Sequence, residues 1–176
     1  MKDAISIHEA FRRGDLTALQ AAFEDSPDFP NCRGPSGLDS YLLEYAIYHG
    51  PLPLIRSLLE LGADPNYADD GGFPSLIATL SCQDRPDRYD ILDMLVGFGA
   101  DIEQRGQNDY TPLHYACVLE DLQAIELLIA HGADLCARTR IDEYATPLEE
   151  AGLLGREQSV ALLKRIAART ENNRDT

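Results

Sequence analysis

Four histidines and four cysteines are the residues of this 176-residue chain best suited to chemistry. His8, His49, His114 and His131 are far apart, and no His-x-x-x-His pair exists to hold zinc from one helix face. Cys32, Cys82, Cys117 and Cys136 form no Cys-x-x-Cys pair and no regular framework, so they are read as reduced thiols, as in a cytosolic protein. Asp69-Asp70 and the Asp84, Asp87, Asp90 series lack the ligand order of a calcium loop, which leaves at most weak divalent-ion binding. Gly71-Gly72 suits a turn that needs positive φ and is not a phosphate cradle. There is no Gly-x-Ser-x-Gly, P-loop or dinucleotide fingerprint. No converging set for catalysis, cofactor or metal emerges, and the chain is read as a non-enzyme with no cofactor.

The elements that would position these groups repeat. Gly62-Ala63-Asp64, Gly99-Ala100-Asp101 and Gly132-Ala133-Asp134 recur, with a glycine suited to the left-handed cap of a helix. Upstream of them lie Tyr41-Leu42-Leu43-Glu44-Tyr45-Ala46, Pro74 to Thr79, Thr111-Pro112-Leu113-His114-Tyr115-Ala116 and Thr146-Pro147-Leu148-Glu149-Glu150-Ala151. In the clearest copy, Thr111 can cap a helix and Pro112 can take its first position. Leu113, Ala116 and Cys117 then share a face. Glu120-Asp121 breaks the pattern before a second apolar run from Leu122 to Ile129. Two short helices with apolar stripes cannot bury them alone and need stacked copies of themselves.

Thr-Pro-Leu-His and Gly-Ala-Asp, in phase over most of the chain, resemble the ankyrin repeat. The resemblance implies an all-α ankyrin-repeat solenoid of about five helix-turn-helix repeats in one domain, 1–170. A degenerate first repeat over 4–31 would be the N-terminal cap. Repeats at 32–66, 67–103, 104–136 and 137–170 follow, and 171–176 is expected to be a disordered tail. In the family a histidine at the position of His114 ties neighbouring turns together. Glu44 stands there in the second repeat, so that bond is not expected. The stretch from Ser81 to Asp90 exceeds the usual inter-helix turn by about four residues, and is either a neutral surface loop or a contact loop.

The family meets its ligands with turn tips and the exposed face of each first helix. Carried over by position, this puts a partner-binding surface at Leu38, Tyr45, Tyr48, His49, Asp70 and Phe73. It continues through Asp84, Asp87, Tyr110, Tyr115, Asp142 and Glu143, with Val118, Leu119, Leu153 and Leu154 at the helix ends. Aromatic anchors among carboxylates suit protein recognition. The plainer alternative is that some of these side chains pack between repeats.

Composition supports a protein partner. The net charge is −15, concentrated in residues 34–104 (−9) and 105–155 (−6), whereas 156–176 carries +2. Such a field repels nucleic acid and speeds encounter with a basic protein, although solubility alone could also account for it. Apolar residues make up 44%, enough for a core, and no apolar run reaches the length of a membrane span. The first residues show no leader peptide. The expectation is a monomeric, cytoplasmic, non-catalytic binding module with a basic protein partner, either an inhibitor or immunity-type protein that occupies a toxin's or nuclease's nucleic-acid groove, or a general scaffold. An enzyme accessory using the 81–90 insertion is the rival from another class.

Overall fold

The computed structural model describes residues 4–34, 40–67, 71–141 and 144–172, and it divides the chain into two compact units, Met1–Asp101 and Ile102–Thr176. Unit 1 holds α1 (Ala4–Arg13), α2 (Leu16–Ala22), α3 (Leu42–His49), α4 (Leu52–Glu60), α5 (Ser75–Ser81) and α6 (Arg88–Gly97). Unit 2 holds α7 (Pro112–Val118), α8 (Leu122–Ala130), α9 (Pro147–Leu153) and α10 (Glu157–Asn172), with a 3-10 turn at Gln107–Asp109. Among the described residues there is no strand, only a single bridge between Arg33 and Tyr41. The chain is all-α, built of helix pairs.

Local rules explain where the helices start. Thr111 and Thr146 each cap a helix that opens with proline, and each accepts a hydrogen bond from the backbone N–H three residues on. The side chains of His114 and Glu149 complete the two capping boxes. Two second helices, α2 and α8, are capped by aspartate. Asp15 Oδ1 accepts from Ala18 N at 2.9 Å, and Asp121 Oδ1 accepts from Ala124 N at 3.2 Å. The residue before each of these caps, Gly14 or Glu120, adopts positive φ and turns the chain between helices.

The ends of α4, α6 and α8 follow one pattern. Gly62, Gly99 and Gly132 share a φ of 92°, and the next residue donates back to the helix: Ala63 to Leu58 O, Ala100 to Leu95 O and Ala133 to Leu128 O. This is a left-handed helix cap, and it demands glycine for its handedness. A clamp then links one repeat to the next. Asn31 Nδ2 donates to Gly62 O at 2.9 Å, and Asp64 N donates to Asn31 Oδ1 at 2.6 Å. Asn66 makes the same two bonds to Gly99 and Asp101. In unit 2, Glu103 stands in that position and accepts from Asp134 N at 2.7 Å.

The cores are aliphatic. Phe11, Leu19, Ile47, Ile55, Leu58, Ile77, Leu80, Ile91 and Leu95 are fully buried in unit 1; Leu113, Ala116, Cys117, Ile125, Leu128 and Ala151 are fully buried in unit 2. Burying one such leucine or isoleucine contributes about 1.5–3 kcal/mol, which the short helices could not recover in isolation. α5 packs on α3 and α6 and is buried from Ser75 to Leu80, so over that stretch it has no solvent-facing side. α10 runs to Asn172, so the backbone stays helical two residues into the segment expected to be disordered.

Candidate functional site

In unit 1 the expected surface centres on α3. Its apolar side faces the core through Leu43, Ala46 and Ile47, which turns Tyr45, Tyr48 and His49 outward. Tyr45 is half-buried against α1. Its ring lies edge-on to Phe11 at 4.8 Å, and its hydroxyl is 2.5 Å from His8 Nδ1. His49 is exposed, 4.5 Å from the Tyr45 ring and 6.2 Å from that of Tyr48. Phe73 is half-buried, and its carbonyl accepts from Tyr67 Oη at 3.3 Å. Leu38 and Asp70 lie outside the described residues.

The insertion after α5 is used within the chain. Arg85 reaches back to the end of α3, where its guanidinium donates to Ile47 O at 2.5 Å and Gly50 O at 2.7 Å. Asp87 holds the same guanidinium at 2.7 and 3.1 Å. Carbonyls at a helix end lack intrahelical donors, and a charged fork satisfies them while opposing the helix dipole. Asp87 is thereby matched by Arg85, whereas Asp84 stays exposed. Arg88 ties the loop further, through Gln83 O and the Tyr89 hydroxyl.

In unit 2, His114 is buried and joins two turns. One ring nitrogen, Nε2, is 3.0 Å from Ala145 O, so it carries the proton and donates; Nδ1 then accepts from Thr111 Oγ1 at 2.8 Å. Burial holds this imidazole below its ordinary titration range, against the opposing hydrogen bond to Ala145. That is the structural role expected for it. A second tie sits at the turn tips. Asp109 accepts from Arg140 Nη2 at 2.6 Å, from Arg140 N at 2.5 Å and from Arg105 Nη1 at 3.0 Å. The hydrogen bond from the Arg140 side chain keeps the Asp109 carboxyl below its usual value.

Between the turn tips and α9 lies a groove of about 440 Å³. Ile141, Leu153 and Leu154 line its apolar side, and Tyr110 and Glu150 its polar side. Tyr110 stacks on His114 and donates its hydroxyl to Glu150 Oε1 at 2.5 Å. Leu153 is 64% exposed and Ile141 48%, and Tyr144, three residues along the loop from Ile141, is 61% exposed. Tyr115 is half-buried, and Asp142 and Glu143 lie outside the described residues. Sequence reasoning put Leu153, Leu154 and Tyr110 on this surface but missed Ile141, Tyr144 and Glu150. The length of the loop from Thr139 to Ala145 was the one available signal.

No three His, Cys, Asp or Glu side chains come together in a metal-holding group among the described residues. No helix among them is long and apolar enough to cross a membrane. The four cysteines are unbonded; Cys117 is buried, with its thiol pushed up to about 12 by desolvation.

Comparison with known proteins agrees with this architecture. Residues 79–174 match the family model for ankyrin repeats (3 copies), and residues 43–84 match one for ankyrin repeats (many copies). The chain is 33% identical over 129 residues to alpha-latrocrustotoxin-Lt1a of Latrodectus tredecimguttatus, covering 73% of this chain and 8% of that protein. It is 29% identical to target of rapamycin complex 2 subunit AVO2 of Saccharomyces cerevisiae, covering 75% and 30%. Over 62% of its length it is 28% identical to the mouse RelA-associated inhibitor, of which it covers 13%. The chain thus spans a third or less of these relatives. It belongs to the ankyrin repeat family, whose members are in general non-catalytic modules for protein–protein interaction.

Proposed function

We propose that this chain is a non-catalytic, monomeric binder of a basic protein and acts in the cytoplasm. The carrying observation is the cluster of exposed Ile141, Leu153 and Leu154 lining one groove with Glu150 in unit 2. Large apolar side chains left in water beside a groove are characteristic of recognition surfaces, and Glu150 would meet a cation next to the apolar anchor.

Charge supports a basic partner. Arg85, Arg105, Arg138, Arg140 and Arg165 are each paired with a carboxylate of this chain, which leaves the acidic excess outward. Such a field accelerates encounter with a basic protein. The sharper form is an inhibitor or immunity-type protein that occupies a nuclease's or toxin's nucleic-acid groove. A scaffold or subunit role is the second reading, favoured by relatives such as the rapamycin-complex subunit, of which the matched segment is a part. An enzyme accessory built on the insertion is less favoured, because Arg85 and Asp87 are spent on α3.

The test is capture of partners by the tagged chain and by a Leu153→Asp, Ile141→Asp variant, washed at low and then high salt. One stoichiometric basic protein, released by salt and not held by the variant, is expected. Several weak partners would favour the scaffold. Equal capture by the variant would remove the groove from the proposal.

A further inference from the structure

Unit 1 carries a small surface whose chemistry runs against the chain's net charge. His8 and Arg12 come from α1, Tyr45, Tyr48 and His49 from α3, and Arg85 from the loop after α5. The His8 and His49 rings lie 5.3 Å apart at 71°. His49 lies 4.5 Å from Tyr45, whose hydroxyl is held by His8. Partial desolvation of the ring, and then the fields of His8, Arg12 and Arg85, disfavour the charged form of His49. Of the carboxylates on α1, α3 and the loop after α5, Glu9 binds Arg13, Asp87 binds Arg85 and Glu44 is buried, while Asp84 is exposed on the loop; α4, also packed on α3, carries Arg56 and Glu60. α5, on the other side of α3, has no charged residue. Among the described residues, none of His8, Arg12 and His49 forms an ion pair, although Arg12 and His49 are both exposed.

We propose that this imidazole and arginine cluster binds one carboxylate of a partner segment, a Glu or Asp side chain flanked by apolar residues, and that His49 takes up a proton as it binds. A carboxylate seated there would supply the counter-charge that the chain withholds and would favour imidazolium. The aromatic wall of Tyr45 and Tyr48 suits the apolar flanks. A polyanion fits badly, because the −15 chain around the cluster repels it, whereas a lone carboxylate on a basic or apolar partner meets little of that field. This site lies in unit 1 and does not depend on the unit 2 groove.

The experiment follows the histidine ring protons by NMR in the full chain. The probe is the acetylated and amidated tripeptide Leu-Glu-Leu, with Leu-Gln-Leu as its uncharged twin. The Glu peptide should shift His8 and His49 and leave the exposed His131 unmoved. Its affinity should be about tenfold higher near pH ~5.5 than near pH ~7.5, through proton uptake by His49. Arg12→Ala and His49→Ala, both at exposed positions, should each abolish the shifts. Leu153→Asp should leave them in place, which separates this site from the groove. Equal shifts from the Gln peptide, a matching shift of His131, or pH-independent binding would overturn the proposal. Stronger shifts from a DNA oligonucleotide than from the Glu peptide would overturn it too.

Discussion

The fourth repeat, in unit 2, and the second, in unit 1, solve one problem differently. Both must tie a first helix to structure about a repeat away. In unit 2 the tie is His114, buried at the start of α7 and bonded to Ala145 O, 31 residues on. In unit 1, Glu44 stands at the matching place on α3. The helix is held at its opposite end, where Arg85 reaches 38 and 35 residues back to Ile47 O and Gly50 O. The insertion that looked like a possible contact loop carries that arginine. Loss of a family residue in one repeat is thus accompanied by a gained contact from the next. What has to persist is the satisfaction of backbone groups at turns and helix ends, and either a neutral imidazole or a charged fork can provide it.

The contrast can be broken from either side. His114→Ala should have the largest effect, a loss of about 2–4 kcal/mol read from chemical unfolding, because it removes two buried side-chain hydrogen bonds and the ring that fills the site, leaving Ala145 O with Thr139 N alone and the Thr111 hydroxyl without its acceptor. Arg85→Ala should cost less, about 1–3 kcal/mol, since water can reach part of that site. Its mark should be faster amide exchange in α3 and unchanged exchange in α7. Intact α3 protection in Arg85→Ala would show that the charged fork does not hold this helix.

A smaller effect should follow pH. The folded His114 titrates below its ordinary value of 6.5, so the stabilisation from its neutral form is complete above that value and declines as pH falls through it. Between pH ~7.5 and ~5.5 the urea midpoint of the wild type should fall further than that of His114→Gln. His49 is shifted the same way but is present in both proteins and cancels. Asp109 and Glu149, shifted downward, remain ionised throughout this range and do not contribute. An identical slope for both proteins would show that His114 is not the group responsible. Smallest of all, Asn66→Ala should cost about 1 kcal/mol, because its two bonds lie in exposed surroundings and water replaces them. Faster exchange at the Asp101 amide would check it.

Much of the fold was legible because its signals are local. Thr-Pro-Leu writes a capped helix start, and Gly-Ala-Asp writes a helix end at a φ only glycine adopts freely. The first helices also gave up the outward positions of His49, Leu153 and Leu154. Long polar side chains were not legible. Arg85 and Arg140 find partners 31 to 38 residues away, and neither reach has a sequence period. Tyr45 shows the limit from the other direction. The sequence suggests the exposed face for it, but the packing of α1 against α3 leaves it half-buried, with its hydroxyl engaged by His8.

The asparagine clamps have one more consequence. Asn31 grips an amide 33 residues ahead, Asn66 one 35 ahead, and Glu103 one 31 ahead, with closely similar bond lengths of 2.6 to 2.7 Å. The grip therefore reads its two ends and ignores the length of chain between them. Segments that project away from the clamps can gain or lose residues without disturbing the joint. The insertion between α5 and α6, where this chain has already grown, shows this directly: Asn66 still holds Gly99 and Asp101 from the far side of it.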